Sequence, residues 1–165
     1  MTILERWRAV KPVVAILALC IFTPSLVTLS LDDLLRYHRY IDQYNWLDED
    51  TYHIAVEQAR HHRLNPSLVL AVIDAESRGN PRAVSKAKAR GLMQVMAKHW
   101  YDGDPMDLHI PRVNIQRGCA VLRWAHDLAD GDIRLTLKVY ERGFNGKGFN
   151  EPYISRILTN ISKTQ

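Results

Sequence analysis

With 165 residues, 47% of them hydrophobic and 24% charged, the chain has the composition of one globular domain plus an appendage. Its two cysteines exclude a disulfide framework, because Cys20 lies in an apolar N-terminal run and leaves the remainder with a single thiol, Cys119. A formal net charge of +4 and a pI near 9.2 suit nucleic acid, an anionic membrane face or an acidic polymer, and do not choose among them.

The first predicted element is a membrane helix. Residues 12–31 read PVVAILALCIFTPSLVTLSL and carry no charge. As a helix they would span about 30 Å, the thickness of a bilayer core. Arg6, Arg8 and Lys11 precede the run, and Asp32 and Asp33 follow it. By the positive-inside rule the N-terminus stays in the cytoplasm and everything after Leu31 is exported. The run is longer than the core of a signal peptide and no A-x-A site follows, which favours a retained inner-membrane anchor over a cleaved signal. Residues 32–49 are polar and aromatic and read as a juxtamembrane stalk.

From residue 50 to residue 165 the pattern is helical, with no alternation of the kind strands need. Asp50 can cap a helix over TYHIAVEQARHHR. Asn65 can cap the next, with Pro66 at the first position, where a missing N–H costs nothing. Gly79 and Asn80 can end it, and Pro81 blocks its return. A long helix is expected from about Asn114 to Ala129, with Ile115, Val121, Leu122, Ala125 and Leu128 on its inner side. Gly131 ends it, and Asp132 starts another through about Glu141. Glu151-Pro152 opens the last, where Ile154, Ile157, Leu158 and Ile161 recur at helical spacing. The fold class is therefore mainly α, a compact helical domain preceded by one N-terminal membrane helix. His61 and His62 point to different sides of a helix with no third partner at metal-ligand spacing, so no metal site is expected. No basic–aromatic stripe or helix-turn-helix cue supports nucleic acid as a partner.

The helix from Pro66 to Ser77 is apolar nearly all round, which places it inside the domain. Glu76 sits in its last turn. Partial burial and the negative end of the helix dipole both disfavour its charged form, and a carboxyl kept protonated near neutral pH can serve as a general acid. A surface glutamate just past the buried stretch is the competing reading. Asp74, two residues away, points elsewhere and is no obvious partner.

The context of Glu76 adds a resemblance. ESRGNPRAVSKAKARGLMQVM, residues 76–96, carries Glu76-Ser77, Asn80-Pro81, Ala83, Ser85 and the block Gly91-Leu92-Met93-Gln94. Downstream stand VYERG, with Tyr140 and Gly143, and EPYISRIL, with Tyr153. In this order, from about Asp50 to Leu158, the blocks resemble the lytic transglycosylases of the soluble-lytic-transglycosylase (SLT) family, which have a lysozyme-like fold. The resemblance implies cleavage of the bond between N-acetylmuramic acid and N-acetylglucosamine in peptidoglycan, without water and without metal or organic cofactor. Glu76 would be the single acid and base. Ser77, Met93 and Gln94 would line the sugar site, Tyr140 would hydrogen-bond near Glu76 and orient it, and Tyr153 would lie beside the cleft. Two positions depart from the pattern. Lys88 replaces a glycine, which suggests a changed loop. Glu141 replaces an asparagine, which puts a substrate contact in doubt and adds a carboxylate near Tyr140. The implied partners are peptidoglycan glycan strands and, through residues 12–31, the cytoplasmic membrane, with the catalytic domain in the periplasm. A secretion, conjugation or phage apparatus is open as a further partner. A hydrolytic muramidase on the same scaffold and a non-catalytic wall-binding protein are the alternatives.

Overall fold

The computed structural model describes residues 43–143 and 145–163. The proposed membrane helix and most of the stalk lie outside the described residues. Among the described residues no helix is long and apolar enough to cross a membrane.

Helix α1 spans Glu49–His61, and its N-cap is Asp48, whose side chain accepts from the Thr51 N–H at 2.9 Å. Asp50, the expected cap, lies instead in the first turn with Glu49, where both charges favour the positive end of the dipole. Helix α2 spans Pro66–Ser77. Asn65 caps it by accepting from Ser67, and Pro66 takes the first position. Its C-cap is Arg78 in the left-handed conformation (φ 50°), followed by Gly79 at φ 74°.

The chain then makes two tight turns closed by isolated bridges, Val84 to Arg90 and Arg90 to Val95. Among the described residues no strand forms. A single turn, α3 (Ala97–Trp100), and a 3-10 helix (Pro105–His109) lead to α4, Pro111–Leu128. This long helix begins three residues before Asn114, again with proline at its first position. Ile115, Val121, Leu122 and Ala125 are buried as expected, whereas Leu128, in the last turn, is exposed. Asp132 caps α5 (Ile133–Arg142) through the Leu135 N–H. Asn150 caps α6 (Glu151–Ser162).

Helix α2 is the centre. Every residue from Ser67 to Ile73 is buried, because α1 covers one flank and α6 another. Helix α4 packs on α1 and α5. Ile154 and Ile157 of α6 are fully buried, with Leu158 and Ile161 partly so. Tyr44 belongs to the same core and Leu47 packs against it, so the packed unit begins upstream of residue 50.

Candidate active site

A cleft of about 570 Å³ opens between the end of α2, the turns at 85–96, α3, α4 and α5. Glu76, Gln94, Tyr140 and Glu141 line it. Glu76 is delivered there by its helix: the buried run before it fixes the axis, and the left-handed Arg78 turns the chain away directly after it.

The Glu76 carboxyl is pushed up from the ordinary 4.5 to about 7. Burial is the largest cause. A hydrogen bond from the Tyr153 hydroxyl to Oε1, at 2.7 Å, pulls the other way by favouring the carboxylate. The nearby charge of Glu141 raises the value and that of Arg156 lowers it. Arg156 also donates to the Ala75 carbonyl, which sets a positive charge at the negative end of α2. A group half-protonated at neutral pH can give a proton and take one back without a large cost in either direction.

The two tyrosines take places different from those expected. The Tyr140 hydroxyl donates to the Met93 carbonyl oxygen at 2.7 Å, and the hydrogen bond to Glu76 comes from Tyr153 on α6. Tyr140 thus pins the 91–94 turn to α5. Burial, with the charge of Glu76 behind it, raises both phenols well above their usual range, so both stay protonated donors.

Ser77 and Met93 face inward. Ser77 Oγ donates to the Leu92 carbonyl oxygen at 2.8 Å, with that of Ile73 3.3 Å away, and this bond ties the end of α2 to the turn. Met93 is fully buried. Gln94 adopts a left-handed φ of 48°, and its side-chain NH2 donates to the carbonyl oxygens of Gly91 (3.0 Å) and Ala83 (3.3 Å). Its amide is therefore held at the cleft wall by backbone. Glu141 is held as well: Asn150 donates to Oε1 and Arg142 Nε to Oε2, each at 2.9 Å.

Asn114 is the residue that sequence reasoning missed. It is wholly buried and makes three hydrogen bonds of 2.8 Å: it accepts from the Met93 N–H and donates to the carbonyl oxygens of Arg90 and Leu108. A Cβ on Gly91 would lie 2.2 Å from its Nδ2 and 2.2 Å from the Leu108 oxygen, so only glycine fits there. One signal was available: an amide on the otherwise apolar inner side of an amphipathic helix needs partners. Lys88 stands at φ 67°, the left-handed region in which glycine is unstrained. A backbone of this shape accounts for a glycine at that place in the motif, and the lysine adopts it. Among the described residues no group of three or more His, Cys, Asp or Glu side chains is gathered to hold a metal ion.

The domain is mainly helical and carries a half-buried carboxyl, that of Glu76, at a groove. The family model described as the transglycosylase SLT domain matches residues 53–154, more than half of the chain. The chain belongs to that family. A transglycosylase of Enterobacteria phage PRD1 is 34% identical over 104 residues, which are 61% of this chain and 39% of that protein. Membrane-bound lytic murein transglycosylase C of Actinobacillus pleuropneumoniae serotype 5b (strain L20) is 37% identical over 82 residues, 43% of this chain and 22% of that one. The X-ray structure of an inactive glutamate-to-glutamine mutant of the lytic transglycosylase Slt from Pseudomonas aeruginosa matches with a TM-score of 0.51 at 23% identity. It covers 67% of this chain and 21% of that one, a likeness of fold. The chain spans well under half the length of each of these relatives.

Proposed function

We propose that this domain is a peptidoglycan lytic transglycosylase. It cleaves the β-1,4 bond between N-acetylmuramic acid and N-acetylglucosamine, with Glu76 as sole general acid and base. The observation that carries the reading is a carboxyl raised to about 7 and held by the Tyr153 phenol at a groove, in a chain of this family. The names of the PRD1 and Actinobacillus relatives support it, as does the inactivity of a Glu→Gln mutant of Slt.

Protonated Glu76 gives its proton to the glycosidic oxygen as the C1–O bond breaks and positive charge develops at C1. The resulting carboxylate takes the proton of the muramoyl C6 hydroxyl, whose oxygen closes on C1. The products are a 1,6-anhydromuramoyl end and a free N-acetylglucosamine 4-hydroxyl. Glu76 finishes protonated and no water is consumed. Tyr153 orients the carboxyl and steadies its charged form in the second step. The hydrogen-bonded Gln94 amide offers its oxygen to the substrate at the cleft wall. The domain works outside the cytoplasmic membrane, tethered through residues 12–31, where it meets nascent wall.

Purified peptidoglycan digested with the protein should give muropeptides with 1,6-anhydro ends by mass spectrometry, and none after Glu76→Gln. Reducing ends in their place would make the enzyme a hydrolase, a reading favoured by the second carboxylate, Glu141, on the same groove. No cleavage by the wild type would leave a wall-binding protein.

A further inference from the structure

The groove that holds Glu76 also carries an aromatic wall. Trp100 of α3 and Trp124 of α4 line it, and their rings meet edge to face with centroids 4.9 Å apart and planes at 61°. Trp124 is 38% exposed. Trp100 packs against the core, whereas Trp124 does not and has no part in the chemistry at Glu76. Trp124 stands outside the core, on the solvent side of a helix whose opposite side is already filled by Leu122 and Ala125. A tryptophan that shows a third of its surface inside a concave site, braced by a second tryptophan so that it cannot turn away, is built to receive something apolar and flat. The lining also includes Val121, Val139, Met96 and His99, and the turn at 85–89 contributes only the small side chains of Ser85, Ala87 and Ala89. Small side chains there keep the groove open to a bulky ring.

We infer that Trp100 and Trp124 form a stacking subsite for a pyranose ring of the glycan, separate from the sugars cut at Glu76. A β-linked pyranose presents one face of axial C–H groups, which is apolar, and a rim of hydroxyls, which stays wet. An exposed indole matches the first and leaves the second in water. Of the two rings Trp124 bears the sugar, and Trp100 holds Trp124 at its angle. The subsite grips the strand, so binding should depend on chain length. This inference rests on the proposed glycan substrate, and its test separates the two.

The test uses the full chain carrying Glu76→Gln, so that sugar is bound without turnover. β-1,4-linked N-acetylglucosamine oligomers of two to six units are titrated, and the indole N–H signals are followed by NMR, assigned with Trp100→Phe and Trp124→Phe. Oligomers of four or more units should shift the Trp100 and Trp124 signals and leave the other two indole signals in place. Trp124→Ala should weaken binding of the hexamer about tenfold or more and that of the dimer by less than threefold. Trp124→Tyr, which keeps an aromatic face, should restore most of the affinity. Unchanged hexamer affinity in Trp124→Ala, or an equal loss for dimer and hexamer, overturns the subsite. A wild type that degrades wall while its Trp100 and Trp124 signals ignore the oligomers also overturns it and leaves the proposed chemistry standing. Signals that respond in a protein without wall-cleaving activity support the subsite and sink the chemistry.

Discussion

Replacing Glu76 with glutamine should make the protein more stable, and only at high pH. The argument starts from burial: the folded protein holds this carboxyl with a pKa of about 7 against an ordinary 4.5. At about 1.4 kcal/mol per pH unit of displacement, the folded state disfavours the charged form by about 3 kcal/mol. A carboxyl whose folded value is raised contributes its full stability below pH 4.5, where it is protonated in both states. That contribution is lost as pH rises from 4.5 through about 7. Glutamine keeps the shape and accepts the Tyr153 hydrogen bond, yet never ionises. Urea unfolding of both proteins at pH 4 and pH 8 gives a double difference in which other titrating groups cancel. The two should be nearly equal at pH 4, and the variant more stable by about 2–3 kcal/mol at pH 8. A double difference within about 0.5 kcal/mol of zero would refute the claim that the fold keeps this group protonated, and with it the basis for Glu76 as an acid near neutrality.

Two substitutions should move the alkaline limb of the activity profile in opposite directions. Glu141→Asn removes a neighbouring negative charge and should bring the limb to lower pH, while Tyr153→Phe removes a bond that favours the carboxylate and should carry it higher. Wall turbidity assays across pH 5 to 9 would read both, and movement in the same direction would contradict the assigned causes. Asn114→Ala strands the Met93 N–H and two carbonyl oxygens in the interior, and should cost about 3–5 kcal/mol in urea unfolding. Lys88→Gly relieves a left-handed lysine and should raise stability by about 0.5–1 kcal/mol, after the entropy that glycine adds to the unfolded chain. A lower midpoint would show that the lysine side chain makes a compensating contact.

What the sequence revealed and what it hid follow from the range of each interaction. Asn65 and Asp132 were legible as caps because a cap acts within three residues. The same short range misled at α1, where Asp48 and Asp50 are both good caps and only the packing of Tyr44 and Leu47 sets the entry of the chain. The depth of Glu76 could be read from the apolar run before it. Its partner could not: Tyr140 and Tyr153 both stand in the quoted motifs, and which hydroxyl reaches the acid depends on how α6 crosses α2. Ser77 and Met93 look like groove residues in a motif and prove to be fasteners of the turn, because a motif records necessity without saying whether it arises from substrate or from backbone. Periodicity puts Leu128 on the inner side, but α4 ends there and the side chain emerges into solvent. Gly91 was legible as part of a motif, whereas its cause, an asparagine twenty-three residues later, was not.

The ring of Trp46 lies against Gly79, where an added Cβ would sit 2.5 Å from it. Gly79 is three residues past Glu76. Residues 43–48 therefore act as a plug behind the acid's own turn. A fragment cut to the family match at residue 53 would lose that plug, the Asp48 cap and the buried Tyr44 together. The inherited segment and the smallest piece that can hold its shape have different lengths, and an expression fragment of this domain should start no later than Gln43.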